Sequence, residues 1–157
     1  MVGLEAVAAQ AQDARPAFEM VTDSVLADPD PADWLMVSRT FDQQRFSPLD
    51  QINRSNVGQL RLAWTRRLPD GVQESTPLVH RGVMYLIAPG ATVQALNAAT
   101  GDLLWEYARA YPPGVLAQLS RQKNLGIYGD MIYFAAPDGF LIGIDARTGA
   151  QRWETKL

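Results

Sequence analysis

A gap-free internal repeat is the feature that most restricts how this chain can fold. Residues 83–107 align with residues 131–155 at a constant offset of 48, and eight of the 25 aligned positions are identical. The identical pairs are Tyr85/Tyr133, Ala88/Ala136, Pro89/Pro137, Ala98/Ala146, Thr100/Thr148, Gly101/Gly149, Trp105/Trp153 and Glu106/Glu154. A repeat of about 40 to 50 residues indicates stacked supersecondary units, because one unit cannot bury its apolar faces alone.

Each repeat contains four segments with the character of β-strands. Within each repeat, short apolar runs are separated by turn residues such as Thr-Gly, which is typical of antiparallel strands. Four-stranded units of this length are the blades of β-propellers. The sequence therefore predicts an all-β fold, a partial β-propeller with blade one at about 74–109 and blade two at about 123–157.

The two repeats share the pattern Ala-x-x-Thr-Gly-x-x-x-Trp. We expect the glycine to make a tight turn, the alanine to allow close approach, and the indole to dock on the next blade. This predicts a structural role and no chemistry. The docking residues are Ala98, Thr100, Gly101 and Trp105 in the first repeat and Ala146, Thr148, Gly149 and Trp153 in the second.

The segment before the repeats reads as one strand and a long extension. Residues 60–68 alternate apolar with polar side chains, which predicts a strand without its blade. Residues 13–59 are predicted to be an extension with short helices, one after Thr22 or Asp23 and one at Ser47–Pro48. Residues 1–12 are Ala-rich and indicate either the remnant of a signal peptide or a disordered tail.

Composition excludes several classes of function. The chain has no cysteine, so disulfide frameworks, thiolate metal sites and cysteine nucleophiles are excluded. Its net charge of -3, with scattered basic residues, argues against binding to nucleic acid. The single histidine, His80, is predicted to be an ordinary strand residue on a polar face.

The repeated Ala98–Trp105 and Ala146–Trp153 stretches resemble the tryptophan docking motif of the quinoprotein dehydrogenases, the PQQ-dependent alcohol and methanol dehydrogenases. The sequence before the repeats is similar to the N-terminal part of the same family, including Asp33-Trp34, Arg45-Phe46-Ser47-Pro48-Leu49 and Gln73-Glu74-Ser75-Thr76-Pro77. The resemblance runs from about Ala14 to the last residue. Residues 60–68 would then be the outer strand of the last blade of a closed ring.

The resemblance implies a periplasmic, exported enzyme with an eight-bladed propeller. Its cofactors would be PQQ and a calcium or lanthanide ion, and its reaction would be hydride transfer from an alcohol to the quinone. A cytochrome c is the implied electron acceptor, and the missing C-terminal blades are implied partners of this chain. The catalytic aspartate and the metal ligands of the family have no counterpart in these 157 residues, so the chain alone is expected to be inactive.

Three residues are candidates for cofactor binding by resemblance. Glu74 matches a glutamate that hydrogen-bonds PQQ at the start of the first blade. Lys123 lies where the family usually has an arginine that pairs with the cofactor's carboxylates, and Arg121 is the alternative if the register shifts. Lysine keeps the charge of arginine but loses its bidentate geometry.

Two other functions remain open from the sequence. A non-catalytic propeller of the same repeat superfamily could act as a protein-binding scaffold, although a scaffold has no need of Glu74. A sugar- or aldose-oxidising quinoprotein is the other alternative. The adjacent cysteine pair that many family members carry is absent, which weakens assignment to the methanol-oxidising branch.

Overall fold

The computed structural model describes residues 18–115 and 121–157, and within these ranges it contains two four-stranded antiparallel sheets. The predicted all-β fold with two blades is therefore confirmed. Blade one consists of β1 (Leu78–His80), β2 (Val83–Ala88), β3 (Thr92–Asn97) and β4 (Leu103–Tyr107). Blade two consists of β5 (Gly126–Tyr128), β6 (Met131–Ala135), β7 (Phe140–Asp145) and β8 (Gln151–Lys156).

Strand register shows that the two blades are true structural repeats. In blade one, Tyr85 lies opposite Ala95, which in turn lies opposite Trp105. The equivalent row in blade two consists of Tyr133, Gly143 and Trp153. A break in register follows Ala95 in blade one and Gly143 in blade two. The offset of 48 residues thus carries the strand pairing and the bulge together.

The main core lies between the blades and beneath the N-terminal extension. Buried side chains from both sheets form one cluster, in which Tyr85, Phe134, Leu78 and Ile132 are the largest of the fully buried side chains. Ile132 and Phe134 alternate along β6 with more exposed residues. In β2 and β7 the last four residues are all buried, which is typical of strands that are covered on both faces. The core therefore joins the blades into one packed unit.

The N-terminal extension is attached to both blades by backbone bridges. Val21 pairs with Gly129, and Trp34 pairs with Val79, each through two N–H to carbonyl bonds of 2.7–2.9 Å. The extension contains α1 (Asp23–Ala27), whose N-cap Thr22 accepts a bond from the Val25 N–H at 3.4 Å. A 3-10 turn spans Val57–Gln59.

Two local expectations differ from the structure of the extension. No helix begins at Ser47–Pro48; instead, the Ser47 hydroxyl accepts a bond from the Leu49 N–H at 3.3 Å. A serine before proline favours such a turn as well as a helix start. The Ala-rich segment 1–12 lies outside the described residues.

Residues 60–68 form no strand in the described part of the chain. A strand requires backbone hydrogen bonds to a neighbour, and none of the eight described strands pairs with this segment. The segment is held by its side chains, since Trp64 and Leu68 pack against the cluster of Leu86, Ala88 and Leu96. Alternation of apolar and polar residues thus predicts which side chains face the blade, whereas strand formation also requires a neighbouring strand to accept the backbone hydrogen bonds.

His80 is buried, which corrects its predicted position on a polar face. The side chain is 1% exposed. Its Nδ1 lies 2.8 Å from Asp33 Oδ2 and its Nε2 lies 2.7 Å from the backbone oxygen of Glu19. The extension covers this end of β1 and supplies both polar partners, which the alternation of a single strand cannot show.

Candidate functional site

The three residues predicted to bind cofactor lie together between the blades. Arg121 Nη1 is 3.3 Å from Glu74 Oε1, and Lys123 Nζ is 3.6 Å from Glu74 Oε2. The Glu74 side chain is 32% exposed, while those of Arg121 and Lys123 are 72% and 64% exposed. One half-buried carboxylate therefore holds two cationic side chains that remain open to solvent.

Backbone contacts set the position of this cluster. The Thr76 N–H donates to the carbonyl oxygen of Lys123 at 2.8 Å, which ties the approach to β1 to the approach to β5. Ser75 Oγ accepts a bond from the Ile87 N–H at 3.3 Å, near the end of β2. Glu74 precedes both anchored residues, so it is held at the junction of the two blades.

A second set of contacts docks the blades on one another. Trp105 Nε1 donates to the carbonyl oxygen of Ala146 at 3.0 Å, and the Tyr85 hydroxyl donates to the same oxygen at 3.2 Å. A methyl group added at Gly149 would lie 2.7 Å from Cε3 of Trp105. The turn of blade two thus accepts the indole of blade one only because residue 149 lacks a side chain.

These contacts and the repeat point to one family. A family model described as "PQQ: Glucose/ethanol/alcohol dehydrogenase, beta-propeller domain" matches residues 34–154, which include Glu74, blade one and all but the last two residues of blade two. The chain belongs to the PQQ-dependent dehydrogenase family. This agrees with the resemblance that the docking motifs and the upstream text carry.

Similar proteins agree with the family. The dehydrogenase subunit of the alcohol dehydrogenase (quinone) of Komagataeibacter europaeus is 43% identical over 131 residues, which cover 81% of this chain and 18% of that protein. The structure of quinohemoprotein alcohol dehydrogenase ADHIIG from Pseudomonas putida HK5 is 36% identical with a TM-score of 0.77, covering 87% of this chain and 21% of that one. A europium-containing methanol dehydrogenase is 29% identical with a TM-score of 0.73, covering 86% and 25%. The chain therefore spans about a fifth of the length of these PQQ-dependent relatives.

The cluster at Glu74 fits part of a PQQ site. PQQ carries three carboxylates and a quinone, so it requires cationic partners and polar hydrogen-bonding groups. Exposed ion pairs such as those of Arg121 and Lys123 contribute little to folding, about 0 to 1 kcal/mol, and can exchange one anionic partner for another. Arg121 and Lys123 can therefore turn toward a polyanionic cofactor at the cost only of weak ion pairs with Glu74.

Within ranges 18–115 and 121–157, no group of three or more His, Asp or Glu side chains could hold a metal ion. In the same ranges, no helix is long and apolar enough to cross a membrane.

Trp64 is a docking residue that lies outside the repeated Ala-x-x-Thr-Gly-x-x-x-Trp pattern. Its Nε1 donates to the carbonyl oxygen of Ala98 at 3.1 Å, and a methyl group added at Gly101 would lie 2.5 Å from its Cε3. This repeats the contact of Trp105 with Ala146 and Gly149. The signal in the sequence was an indole one blade upstream of Trp105, but no Ala-x-x-Thr-Gly turn precedes it.

An aspartate or asparagine supports the turn that receives each indole. Asn97 Oδ1 accepts bonds from the N–H groups of Ala99 and Thr100, and Asp145 Oδ1 accepts the equivalent bonds in blade two. Asp145 is buried, which alone would raise its pKa, but hydrogen bonds from Arg152 and Thr148 outweigh burial and lower the pKa below 3.8. Asp145 therefore remains charged beside Arg152.

The phenol of Tyr85 remains protonated for a related reason. Burial, with a smaller contribution from the negative charge of Asp145, raises the pKa of Tyr85 well above its ordinary value of 10.0. A protonated hydroxyl can donate to Ala146, whereas a phenolate cannot. The hydroxyl of Tyr85 is therefore protonated at neutral pH and can make this bond.

The linker between the blades is fastened by Arg109 and Tyr111. Arg109 Nε donates to Asp138 Oδ2 at 2.8 Å, and its guanidinium lies 4.7 Å from the centre of the Phe140 ring. Tyr111 donates to the carbonyl oxygen of Ala91 at 2.9 Å, and burial raises its pKa to about 12. The linker thereby joins the turn after β2 to the turn after β6, at the end of the blades where Glu74 lies.

Proposed function

We propose that this chain forms two blades and part of the cofactor site of a periplasmic PQQ-dependent alcohol dehydrogenase. The observation that carries the proposal is the pairing of Glu74 with Arg121 and Lys123 between the blades. Support comes from the family model over residues 34–154 and from relatives named as quinone-dependent alcohol dehydrogenases. Export to the periplasm is supported by the resemblance and by the Ala-rich start of the sequence.

In such an enzyme, PQQ and a calcium or lanthanide ion would supply the chemistry for hydride removal from an alcohol, with a cytochrome c as the electron acceptor. The chain's own residues have narrower tasks. Lys123 and Arg121 would neutralise cofactor carboxylates, and Glu74 would hydrogen-bond the cofactor and orient both cations. Ser75 and Thr76 would hold this group rigid through their bonds to Ile87 and Lys123.

A chimaera tests this proposal in a complete ring. Residues 18–157 replace the matching segment of the Pseudomonas putida ADHIIG protein, whose structure superposes with a TM-score of 0.77. We expect the purified chimaera to retain PQQ, measured by quinone absorbance, and to oxidise a primary alcohol with an artificial electron acceptor. A folded chimaera that retains no PQQ would contradict the proposal, and preference for an aldose over alcohols would favour the sugar-oxidising alternative.

Variants of the chimaera locate the contribution of Glu74. Glu74→Gln should weaken PQQ retention about ten- to a hundredfold, since a hydrogen bond with a charged group is worth about 1.5 to 3 kcal/mol. Asp70→Asn is the matched control, because Asp70 is also an acid in an ion pair but is 98% exposed, beside Arg67. Equal retention in both variants would exclude Glu74 from the site. Lys123→Arg should retain PQQ at least as well as the parent, because arginine adds a bidentate donor.

A further inference from the structure

A cavity of about 110 Å³ lies where the N-terminal extension meets the two blades. It is distant in the fold from Glu74, because it opens beside the turn between β1 and β2, at the opposite end of these strands. Apolar groups and rings from the extension and blade one form most of its wall. These are Phe18, His80, Val83, Tyr85, Leu104 and Trp105.

Polar atoms on the wall already have protein partners. Trp105 Nε1 and the Tyr85 hydroxyl both donate to the carbonyl oxygen of Ala146. The two ring nitrogens of His80 lie within hydrogen-bonding distance of Asp33 and Glu19. The polar atoms of these rings are therefore already hydrogen-bonded to the protein, and the ring carbon atoms form most of the remaining surface of the cavity.

Cationic groups at the rim are also engaged. Arg81 forms ion pairs with Glu19 and Asp30, and its N–H donates to Asp33 Oδ1 at 2.9 Å. Arg147 likewise has a partner. Among the lining residues, all of which belong to the described part of the chain, none carries a buried side-chain polar atom without a hydrogen bond. The cavity thus offers little to water or to a charged ligand.

We propose that this cavity is a binding site for a small, uncharged, apolar molecule of about the size of benzene. A cavity of about 150 Å³ lined by apolar side chains stays dry and binds benzene or xenon, and a cavity of 110 Å³ is close to that size. Ordered water needs two to four polar partners, and apart from the guanidinium groups of Arg81 and Arg147 the side-chain polar atoms of this wall are already bonded to the protein. Because the ligand would contact Phe18 and Trp105 together, its binding would also tighten the extension on the blades.

Benzene titration of the 157-residue protein tests the proposal by NMR. The four indole N–H signals are reporters, since Trp105 lines the cavity and Trp34, Trp64 and Trp153 do not. We expect a saturable shift of the Trp105 signal with little change in the other three. Equal shifts of all four signals, or no shift of Trp105, would overturn the proposal. A response to imidazole as large as that to benzene would overturn the apolar class of ligand.

Two substitutions on β4 make a matched pair. Leu104→Phe fills the cavity and should abolish the benzene response, whereas Leu103→Phe, on the adjacent and 44% exposed residue, should leave it unchanged. Val83→Ile is a milder filling variant, with one added methyl group, and should weaken the response if Leu104→Phe does not fold. A full benzene response in a folded filling variant would show that the ligand binds elsewhere.

Discussion

Trp105 and Ala146 lie on different blades, and the indole Nε1 of Trp105 donates to the carbonyl oxygen of Ala146 at 3.0 Å. Trp64 and Ala98 form the same bond at 3.1 Å one step earlier in the chain. Each turn therefore receives the indole of the preceding segment. The repeat in the sequence is a repeat of contacts between blades, and several predictions about stability depend on it.

Removal of the Trp105 indole should destabilise the protein strongly. Trp105→Ala is expected to cost about 3 to 5 kcal/mol, the range for loss of a large buried aromatic side chain. Trp105→Phe should cost less, because it keeps much of the ring and loses a bond worth about 0.5 to 1.5 kcal/mol. Urea unfolding measures both. Trp153→Ala is the control and should cost less than Trp105→Ala, since Trp153 docks on no turn of the described residues. A loss of less than about 1 kcal/mol in the unfolding free energy of Trp105→Ala would refute the docking role.

Alanine substitutions at two glycines distinguish the cost of backbone strain from the cost of a steric clash with Trp105. Gly149 and Gly82 have φ angles of 75° and 76°, so alanine at either position adopts the same unfavourable conformation. That conformation costs about 1 to 2 kcal/mol. At Gly82 the added methyl group meets no atom within 4 Å, whereas at Gly149 it overlaps the Trp105 ring. Gly149→Ala should therefore be the more destabilising by about 1 to 3 kcal/mol, and equal melting temperatures for the two variants would contradict the contact.

The charge of Asp145 should make stability depend on acid pH. Its folded-state pKa is lower than 3.8, so the unfolded chain binds a proton first as the pH falls. The stabilisation is complete above the unfolded pKa and is lost as the pH falls through the folded one. Asp145→Asn keeps an acceptor for the turn, as Asn97 does in blade one, and removes the ion pair with Arg152. The unfolding free energy of this variant should fall less steeply than that of the parent between about pH 5 and 2. An unchanged slope would count against a lowered pKa of Asp145.

Asp33 and His80 should be strongly coupled in a double-mutant cycle. Replacing either residue by alanine leaves the facing atom of its buried partner, His80 Nδ1 or Asp33 Oδ2, without its hydrogen bond, which costs about 1 to 3 kcal/mol. Replacing both removes the pair and should cost less than the sum of the two single changes. The exposed pair of Arg81 and Asp30 is the control, with an expected coupling of at most about 1 kcal/mol. Additive effects for Asp33 and His80 would mean that the buried bond contributes nothing.

The isolated 157-residue chain should show no measurable binding of PQQ, even with calcium present. Glu74, Arg121 and Lys123 are the polar contacts it offers, and a tricarboxylate quinone needs partners from further blades. Calorimetric titration of the purified chain measures this directly. Micromolar or tighter binding would indicate that several copies assemble into a ring, in which case the mass of the complex should rise on sizing by light scattering.

Strand content and blade number were predictable because they depend on local pattern. The apolar runs at Val83–Ala88 and Met131–Ala135, with Thr-Gly turns at the same offset, are signals that one chain segment carries by itself. Residues 60–68 carry the same kind of signal but lack strand pairing here. Alternation reports which side chains face a core, and pairing requires a second segment.

Among the candidate site residues, the sequence identified Glu74, Arg121 and Lys123 only through resemblance, since a lone glutamate and two cations have no diagnostic spacing. Their approach to within 3.3 and 3.6 Å follows from the stacking of blade two on blade one. Trp64 was not identified as a docking residue for the same reason. Its partner turn begins 34 residues later, and only the folded chain brings the two together.

By itself the sequence determined the repeat, the four strands of each blade, the glycine turns and the family to which the chain belongs, because each depends on residue type and spacing along one segment. Only the tertiary structure decided that His80 is buried against Asp33, that Trp64 docks on Ala98, and that a largely apolar cavity lies beside Phe18. These contacts join segments distant in the chain. Their energies come from burial and from hydrogen bonds that exist only when the blades and the extension meet.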